Sequence, residues 1–536
     1  MGHRIPDART QTLPYSSFDD GVTRQASPPS HWRRAVAIVT TAALVRLIFA
    51  ALIPAFPDET YYWDWSRRLA AGYFDHPPAI AWLIRAGGLV LSPFGVSGPI
   101  VIRFGPVVAG WIATLATIAT ARRLGGDAAA VRAAIVITVL PLAAAGLILA
   151  TPDAPLLAAI AVGVYCIVRV LETPIGSGAS LKWWTVAGIA TGAAFASKYT
   201  SIFFPLAVVI AVFARADLRA RLREAGPYVA CFVATMVFLP VLYWNSQNDW
   251  VSFAYQIRHG LEANTDSLLR RAWRQEGDFF GGQVALVSPI LFVMFAIVTG
   301  RSLGKRATPE RFVLAMIATV SFAFFVYSAT RRRVEPNWPA PAYIPAIVLL
   351  AATDWGAIAK RWLTAGVALA AVMSALIYVQ SVTPILPIAP AKDPIARAHG
   401  WRDVAQRADS TAEAIDSETQ ATTWIGGDRY QEASALAFYG AGHPSTFATN
   451  LSGRPNQYDL WPRFRDLARP HDNLLLVVDD DGGAMHQSVK KLAPYFAETR
   501  RGGLVSLKRG DAEIATRRLW ILIGWRGGWP MPDAGT

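Results

Sequence analysis

Two adjacent carboxylates, Asp58 and Glu59, stand just past the first long apolar run, Ala35–Ile53, in the stretch Pro57-Asp58-Glu59-Thr60-Tyr61-Tyr62-Trp63. Carboxylates are costly near lipid and tend to mark function there. An acidic pair where a membrane helix meets an aromatic-rich segment points to a site at the membrane–water boundary. Its substrate would live at that boundary too. A carboxylate there can accept or orient a proton, a general-base role. The bland reading stands beside it: Asp58 as N-cap of an interfacial helix, Glu59–Ala71, with Glu59 at the positive end and Tyr61, Tyr62, Trp63 and Trp65 as an aromatic belt.

The same loop continues with Gly72-Tyr73-Phe74-Asp75-His76-Pro77-Pro78, which adds a third carboxylate, an imidazole and a rigid turn. A divalent metal on Asp58, Asp75 and His76 stays open as an alternative, although adjacent ligands lack a diagnostic spacing. No cofactor or metal ligand set is assigned. In Thr151-Pro152-Asp153, Asp153 reads either as a helix cap or as a substrate contact. In Ser197-Lys198-Tyr199, Lys198 either snorkels or binds an anion. Arg331-Arg332-Arg333-Val334-Glu335-Pro336-Asn337-Trp338-Pro339 is the sharpest anomaly. Three arginines fall where the charge rule for membrane loops expects few, and arginine forks suit phosphate. The loop 244–282 adds amides and aromatic rings of the kind a sugar-binding surface uses.

These residues must be positioned by membrane elements. Of the 536 residues 53% are hydrophobic and 17% charged, against roughly 25% charged in a soluble domain. Apolar runs long enough to cross a bilayer recur along the first seven-tenths of the chain. The spans are expected at 35–55, 99–121, 128–150, 154–171, 183–197, 200–214, 227–243, 283–300, 311–329, 338–354 and 363–383, about eleven in all. Residues 78–95 read as interfacial or re-entrant. The net charge of +13 lies largely in short loops, as the positive-inside rule expects, with no basic aromatic-laced face for nucleic acid. Basic loops after Arg33, Arg122, Arg215, Arg301 and Lys360 fall on one side. This puts the tail 1–34 in the cytoplasm, and the Asp58 loop (56–98), the loop 244–282 and residues 384–536 outside. From residue 384 the composition turns soluble. Leu474–Val478 and Leu519–Ile523 read as strands, and Gln431–Tyr439 and Gln487–Phe496 as helices, giving a small α/β domain. Cys166 and Cys231 both lie in apolar runs, which argues against a disulfide or zinc site.

The string from Asp58 to Pro78 resembles the first outer loop of GT-C glycosyltransferases. The likeness is to the bacterial dolichyl-phosphate-mannose protein mannosyltransferase-like group, which includes the aminoarabinose transferases of lipid A. Thr151–Asp153, Ser197–Tyr199, Trp244-Asn245 with Asp249-Trp250, and Asn337–Pro341 resemble further stretches of that group in the same order. The likeness runs over roughly residues 35–350. It implies a mainly α, polytopic GT-C fold with a catalytic aspartate at Asp58 and a lipid-phosphate contact at Phe74–Pro78. It departs at His76, where aminoarabinose transferases carry lysine.

The expected function is inverting transfer of a sugar from a polyprenyl-phosphate donor to an extracytoplasmic glycolipid, glycan or protein, in a bacterial plasma membrane. Asp58 is the expected base. Glu59, Tyr62, Asp75, His76, Asp153, Lys198, Arg331, Arg333 and Asn337 are the expected substrate contacts, with Arg331, Arg333 and Lys198 on the departing phosphate. A polar-lipid transporter or flippase is the alternative, and a membrane scaffold a third reading. The acidic candidates cluster in outer loops, whereas a transporter needs polar or broken helices at midplane; Arg46 is the main mid-span exception.

Overall fold

The protein is described here by a computed structural model covering residues 30–261, 268–451 and 453–530. Most of the expected tail 1–34, and residues 262–267 of the loop 244–282, lie outside the described residues.

The first two-thirds of the chain are helical. In order come α1 (Ser30–Leu52), α2 (Pro57–Arg67), α3 (Ala79–Leu91), α4 (Pro99–Val139), α5 (Pro141–Gly146), α6 (Asp153–Glu172), α7 (Gly178–Phe195), α8 (Phe203–Ala214), α9 (Ala216–Arg219) and α10 (Gly226–Gln247). Then come α11 (Val251–Leu261), α12 (Leu268–Val287), α13 (Pro289–Ser302), α14 (Pro309–Ala329), α15 (Ala340–Ala351) and α16 (Ala357–Val382). Among the described residues, six helices are long and apolar enough to cross a membrane, or eight if two sharply bent pairs each count as one span. The expected count of about eleven is finer than this. One reason is α4, whose 41 residues hold the expected span 99–121 and the first part of the span 128–150. They meet at Gly125 and Gly126, where the backbone leaves helical geometry and Gly126 takes φ 69°. Only glycine adopts that value without strain. Residues 79–91 form a helix too short to span, followed by a single tight turn.

The basic loops gather at one end of the bundle. Arg122 lies over the Trp32 ring at 4.8 Å. Arg123 pairs with Glu172 at 2.7 Å. Arg215 donates to the Ala307 carbonyl and Arg301 lies over Trp355. α1, the first half of α4, and α6 run from there to the opposite end, which holds Asp58, Arg103 and Asp153.

The C-terminal part begins with α17 (Trp401–Thr419) and carries a five-stranded sheet. Its strands are β1 (Thr423–Gly427), β2 (Phe447–Ala448), β3 (Asn473–Asp479), β4 (Phe496–Arg509) and β5 (Ala512–Trp525), in the order β2-β1-β3-β5-β4. The first three run parallel and the last two antiparallel. Helix α18 (Tyr430–Tyr439) joins β1 to β2. Alternation along β3 explains the two cores: Leu475 and Val477 face α17 and α18, while Leu474, Leu476 and Val478 face the other side. The helix expected at Gln487–Phe496 ends at Leu492, and Phe496 already belongs to β4.

This part is docked on the end of the bundle that holds Asp58. Tyr61, Trp63, Trp65 and Tyr73 share one apolar cluster with Ala433, Ala437, Phe438 and Tyr458. Polar contacts frame it. The Tyr439 hydroxyl accepts from the Ala55 N–H at 2.8 Å, Ser434 meets Thr60 at 2.9 Å, and Tyr458 donates to Asp64 at 2.9 Å.

Candidate active site

α2 begins with Pro57, whose fixed φ suits a first helical position. The cap is not Asp58. Glu59 accepts from the Phe56 N–H at 3.0 Å, so it closes the helix start itself. Asp58 is thereby free of the capping role and opens onto a cavity of about 590 Å³.

The cavity brings together residues from distant stretches. Asp58, Tyr61 and Tyr62 come from α2, Asp75 and His76 from the turn before α3, and Asp153 from the start of α6. Lys198 follows α7, and Asn337 and Trp338 precede α15. Three of these interlock. Lys198 Nζ donates to Asp153 Oδ1 at 2.8 Å, and Asn337 Nδ2 donates to Oδ2 at 2.7 Å. Ile202, Phe203, Phe253, Phe324 and Phe325 add an apolar share to the lining. A cavity lined by both polar and aromatic side chains suits an amphiphile.

α11 lines the cavity with Phe253, Tyr255, Gln256 and Ile257. It follows Asp249 and Trp250, both held at positive φ (51° and 56°), a tight reversal that non-glycine residues adopt only when packing enforces it. From α11, Gln256 donates to the Asp75 carbonyl at 2.5 Å and sits 3.4 Å from His76 Nδ1. Beneath it Gly72 faces Trp244 so closely that a Cβ would lie 2.5 Å from the indole. That contact gives both residues a packing role.

Four expected site residues need a different account. Glu59 is no part of the cavity wall. Its carboxylate is filled by Arg103 Nε and Nη2 (2.8 and 2.5 Å), the Ala150 N–H (2.8 Å) and the Phe56 N–H. Arg103 in turn donates to the Ala50, Ile53 and Pro54 carbonyls at the end of α1. Arg331 and Arg333 also lie outside the wall: Arg331 stacks on Tyr327, and Arg333 is exposed beside Glu335 at 3.6 Å. Asp75 lines the cavity, but its oxygens are taken by the Tyr61 hydroxyl and Arg454 Nη1, each at 2.6 Å. Among the described residues no group of three or more His, Cys, Asp and Glu side chains could hold a metal ion.

Two lining residues, Tyr430 and Arg454, escaped the sequence reading. Both come from the C-terminal part. Neither sits in a stretch with a recognisable spacing, and more than 370 residues separate each from its acidic partner.

Enclosure raises the Asp58 carboxyl above the ordinary range. The hydrogen bond from Tyr430 and the charge of Arg454 pull it back, while the charges of Asp75 and Glu59 push it up again. Burial likewise lifts Asp75, opposed by Arg454 and Tyr61.

Residues 75–244 match the family description dolichyl-phosphate-mannose-protein mannosyltransferase. The chain is 28% identical over 295 residues to the lipid A galacturonosyltransferase RgtD of Rhizobium johnstonii, a match over 55% of this chain and 59% of that relative. Among solved structures it resembles ArnT from Cupriavidus metallidurans bound to undecaprenyl phosphate. There the TM-score is 0.60 and the identity 15%, covering 92% of this chain and 98% of that one. It also resembles the oligosaccharyltransferase AglB from Archaeoglobus fulgidus in complex with an inhibitory peptide and a dolichol-phosphate. That match has a TM-score of 0.52 and 14% identity, over 86% of this chain and 70% of that one. The chain therefore has the fold of the GT-C membrane glycosyltransferases.

Proposed function

We propose that this protein is an integral membrane glycosyltransferase that moves a sugar from a polyprenyl-phosphate donor to an acceptor outside the cytoplasm. The observation that carries the reading is the setting of Asp58: a carboxylate with no capping duty, on the wall of a cavity lined by both polar and aromatic side chains. A donor of this class has a polar head and an apolar chain. The likeness to a lipid A galacturonosyltransferase and to an undecaprenyl-phosphate-bound transferase supports both the donor class and a glycolipid acceptor.

In the proposed step the acceptor hydroxyl attacks the anomeric carbon as the bond from that carbon to the phosphate oxygen breaks, with inversion. Asp58 takes the hydroxyl proton, and polyprenyl phosphate leaves with the bonding pair. Lys198, held by Asp153 and with Asn337 across that carboxylate, is the fixed cation best placed for the departing phosphate. His76 and Tyr62 line the same space. Arg331 and Arg333 flank the cavity and would meet a phosphate on its approach rather than in the transferring geometry. The aromatic side chains of the lining would hold the first prenyl units. No step needs a metal held by the protein.

The orientation belongs to this proposal: basic loops in the cytoplasm, Asp58 and residues 384–536 outside, and about eleven crossings of a bacterial inner membrane. The experiment is transfer by the purified protein from undecaprenyl phosphate carrying a uronic acid, an amino sugar or a neutral hexose, with detergent-dispersed lipid A as acceptor. Transfer from any of these supports the reading. Movement of the lipid across vesicles without transfer would replace it with the transporter reading.

A further inference from the structure

Asp58 does not sit in a site built by the membrane helices alone. The Tyr430 hydroxyl lies 3.4 Å from Asp58 Oδ1, a long contact of hydrogen-bond type. Arg454 Nη2 donates to that hydroxyl at 3.1 Å, and Arg454 Nη1 pairs with Asp75 Oδ1 at 2.6 Å. The guanidinium also lies over the rings of Tyr255 and Tyr430, at 5.1 and 5.0 Å. A continuous chain of polar contacts thus runs from Asp75 through Arg454 and Tyr430 to Asp58.

The C-terminal fold delivers both middle links of this chain. β1 stops at Gly427, and Tyr430 opens α18, which packs along α2 through Ser434 and Tyr439. The Arg454 carbonyl accepts from Asn450 Nδ2 at 3.0 Å and from Asn456 Nδ2 at 3.3 Å, which fixes its backbone. The next residues are fixed too: Gln457 receives the Phe74 N–H at 2.8 Å and gives its own N–H to the Tyr61 hydroxyl at 2.7 Å. One segment therefore holds the Asp75 turn at Phe74 and at Asp75, and α2 at Tyr61.

We infer that Tyr430 and Arg454 are positioning residues of the transfer reaction: the C-terminal part supplies them to orient Asp58 and keep it in the proton-accepting form, so the site is complete only when that part is docked. The inference rests on the reading of Asp58 as the base.

The charged and titratable groups around Asp58 set the direction of the effect. Glu59, Tyr61 and Tyr62 share its helix. Asp75 and His76 come from the turn, Asp153 and Lys198 from the bundle, Glu335 from the segment before α15, and Tyr255 from α11. Arg454 is the cation in direct contact with Tyr430, the hydrogen-bond partner of Asp58. A base works when deprotonated. Removing Arg454 takes away a positive charge that favours the Asp58 carboxylate, and that loss favours the protonated form. The acidic limb of the rate profile must then move to higher pH.

The test uses the full-length protein and a donor that the wild type accepts, with kcat and KM measured against pH. Tyr430→Phe, Arg454→Ala and Arg454→Lys are compared with Arg67→Ala, which removes a docking contact to the His443 carbonyl at 2.8 Å without touching the chain. Arg454→Ala should move the acidic limb upward and lower kcat about tenfold or more at pH values on that limb, with a smaller change in KM for the donor. Arg454→Lys should recover much of the shift, because it restores a charge without the fork. Tyr430→Phe should move the limb less but in the same direction. Arg67→Ala should leave the limb in place. An unmoved limb in both Arg454 variants, with rate losses matching losses of folded protein, would overturn the inference alone. No transfer by the wild type from any donor would overturn the Asp58 reading and the inference with it.

Discussion

Asp153 has two oxygens and two partners, Lys198 and Asn337, drawn from stretches 45 and 184 residues away. Such a triangle fixes the lysine's ammonium group against the cavity rather than letting it snorkel. Lys198→Ala should therefore weaken binding of undecaprenyl phosphate by about 1.5–3 kcal/mol, the worth of a charge-assisted contact. Titration of the purified variant with that lipid reads the effect, and unchanged affinity would return Lys198 to a structural pairing. Arg331→Ala and Arg333→Ala should have smaller effects, since neither lines the cavity. At this scale the sequence was a good guide to which residue types matter, because carboxylates and cations beside apolar runs are rare. It could not rank them. Glu59 is a carboxylate like Asp58 and adjacent to it, yet one faces the cavity and the other is sealed by Arg103. Only the helix phase and the partner 44 residues away decide that.

Among elements, the Glu59–Arg103 pair has the widest reach. It joins the start of α2 to the first half of α4 and, through Arg103, to the Ala50 carbonyl of α1 and the Ile53 and Pro54 carbonyls just past it. Both side chains are buried, at 2% and 0% exposure. Glu59→Gln would leave the arginine without its counter-charge, a loss of about 3–5 kcal/mol. Thermal unfolding in detergent should show a clear drop in midpoint, with activity lost in step with folded protein. An unchanged midpoint would mean that α1, α2 and α4 are held by apolar packing alone. Long apolar runs marked the helical membrane part, since lipid demands such runs, although the expected eleven spans are finer than the six to eight candidates among the described residues. The Gly125–Gly126 corner was marked as well, because Arg122, Arg123 and Asp127 break the apolar run between the spans expected at 99–121 and 128–150. β4 and β5 were harder. Their exposed positions carry Glu498, Arg500 and Arg501, and their burial is partial, so alternation marks only Leu519–Ile523 clearly.

Across the whole molecule, one end of the bundle gathers the basic loops and the other holds the cavity and the C-terminal part. Reporter fusions after Arg301 and after Ile388 should therefore report opposite sides of the membrane, with Ile388 outside. Matching sides would contradict the orientation, although not the contact between Asp58 and Tyr430. The long-range composition shift near residue 384 was plain in the sequence. The docking of the C-terminal part onto the bundle was not, because Tyr430, Arg454 and Gln457 belong to no local pattern and gain meaning only against α2.

The central claim is that Asp58 is the base of a sugar transfer. Asn has nearly the same shape as Asp and caps helices about as well, so Asp58→Asn should leave α2 intact while removing the proton acceptor. The purified variant should match the wild type in yield, unfolding temperature and undecaprenyl-phosphate binding, and should lose sugar transfer about a hundredfold or more. Near-normal transfer by a well-folded Asp58→Asn protein would contradict the account.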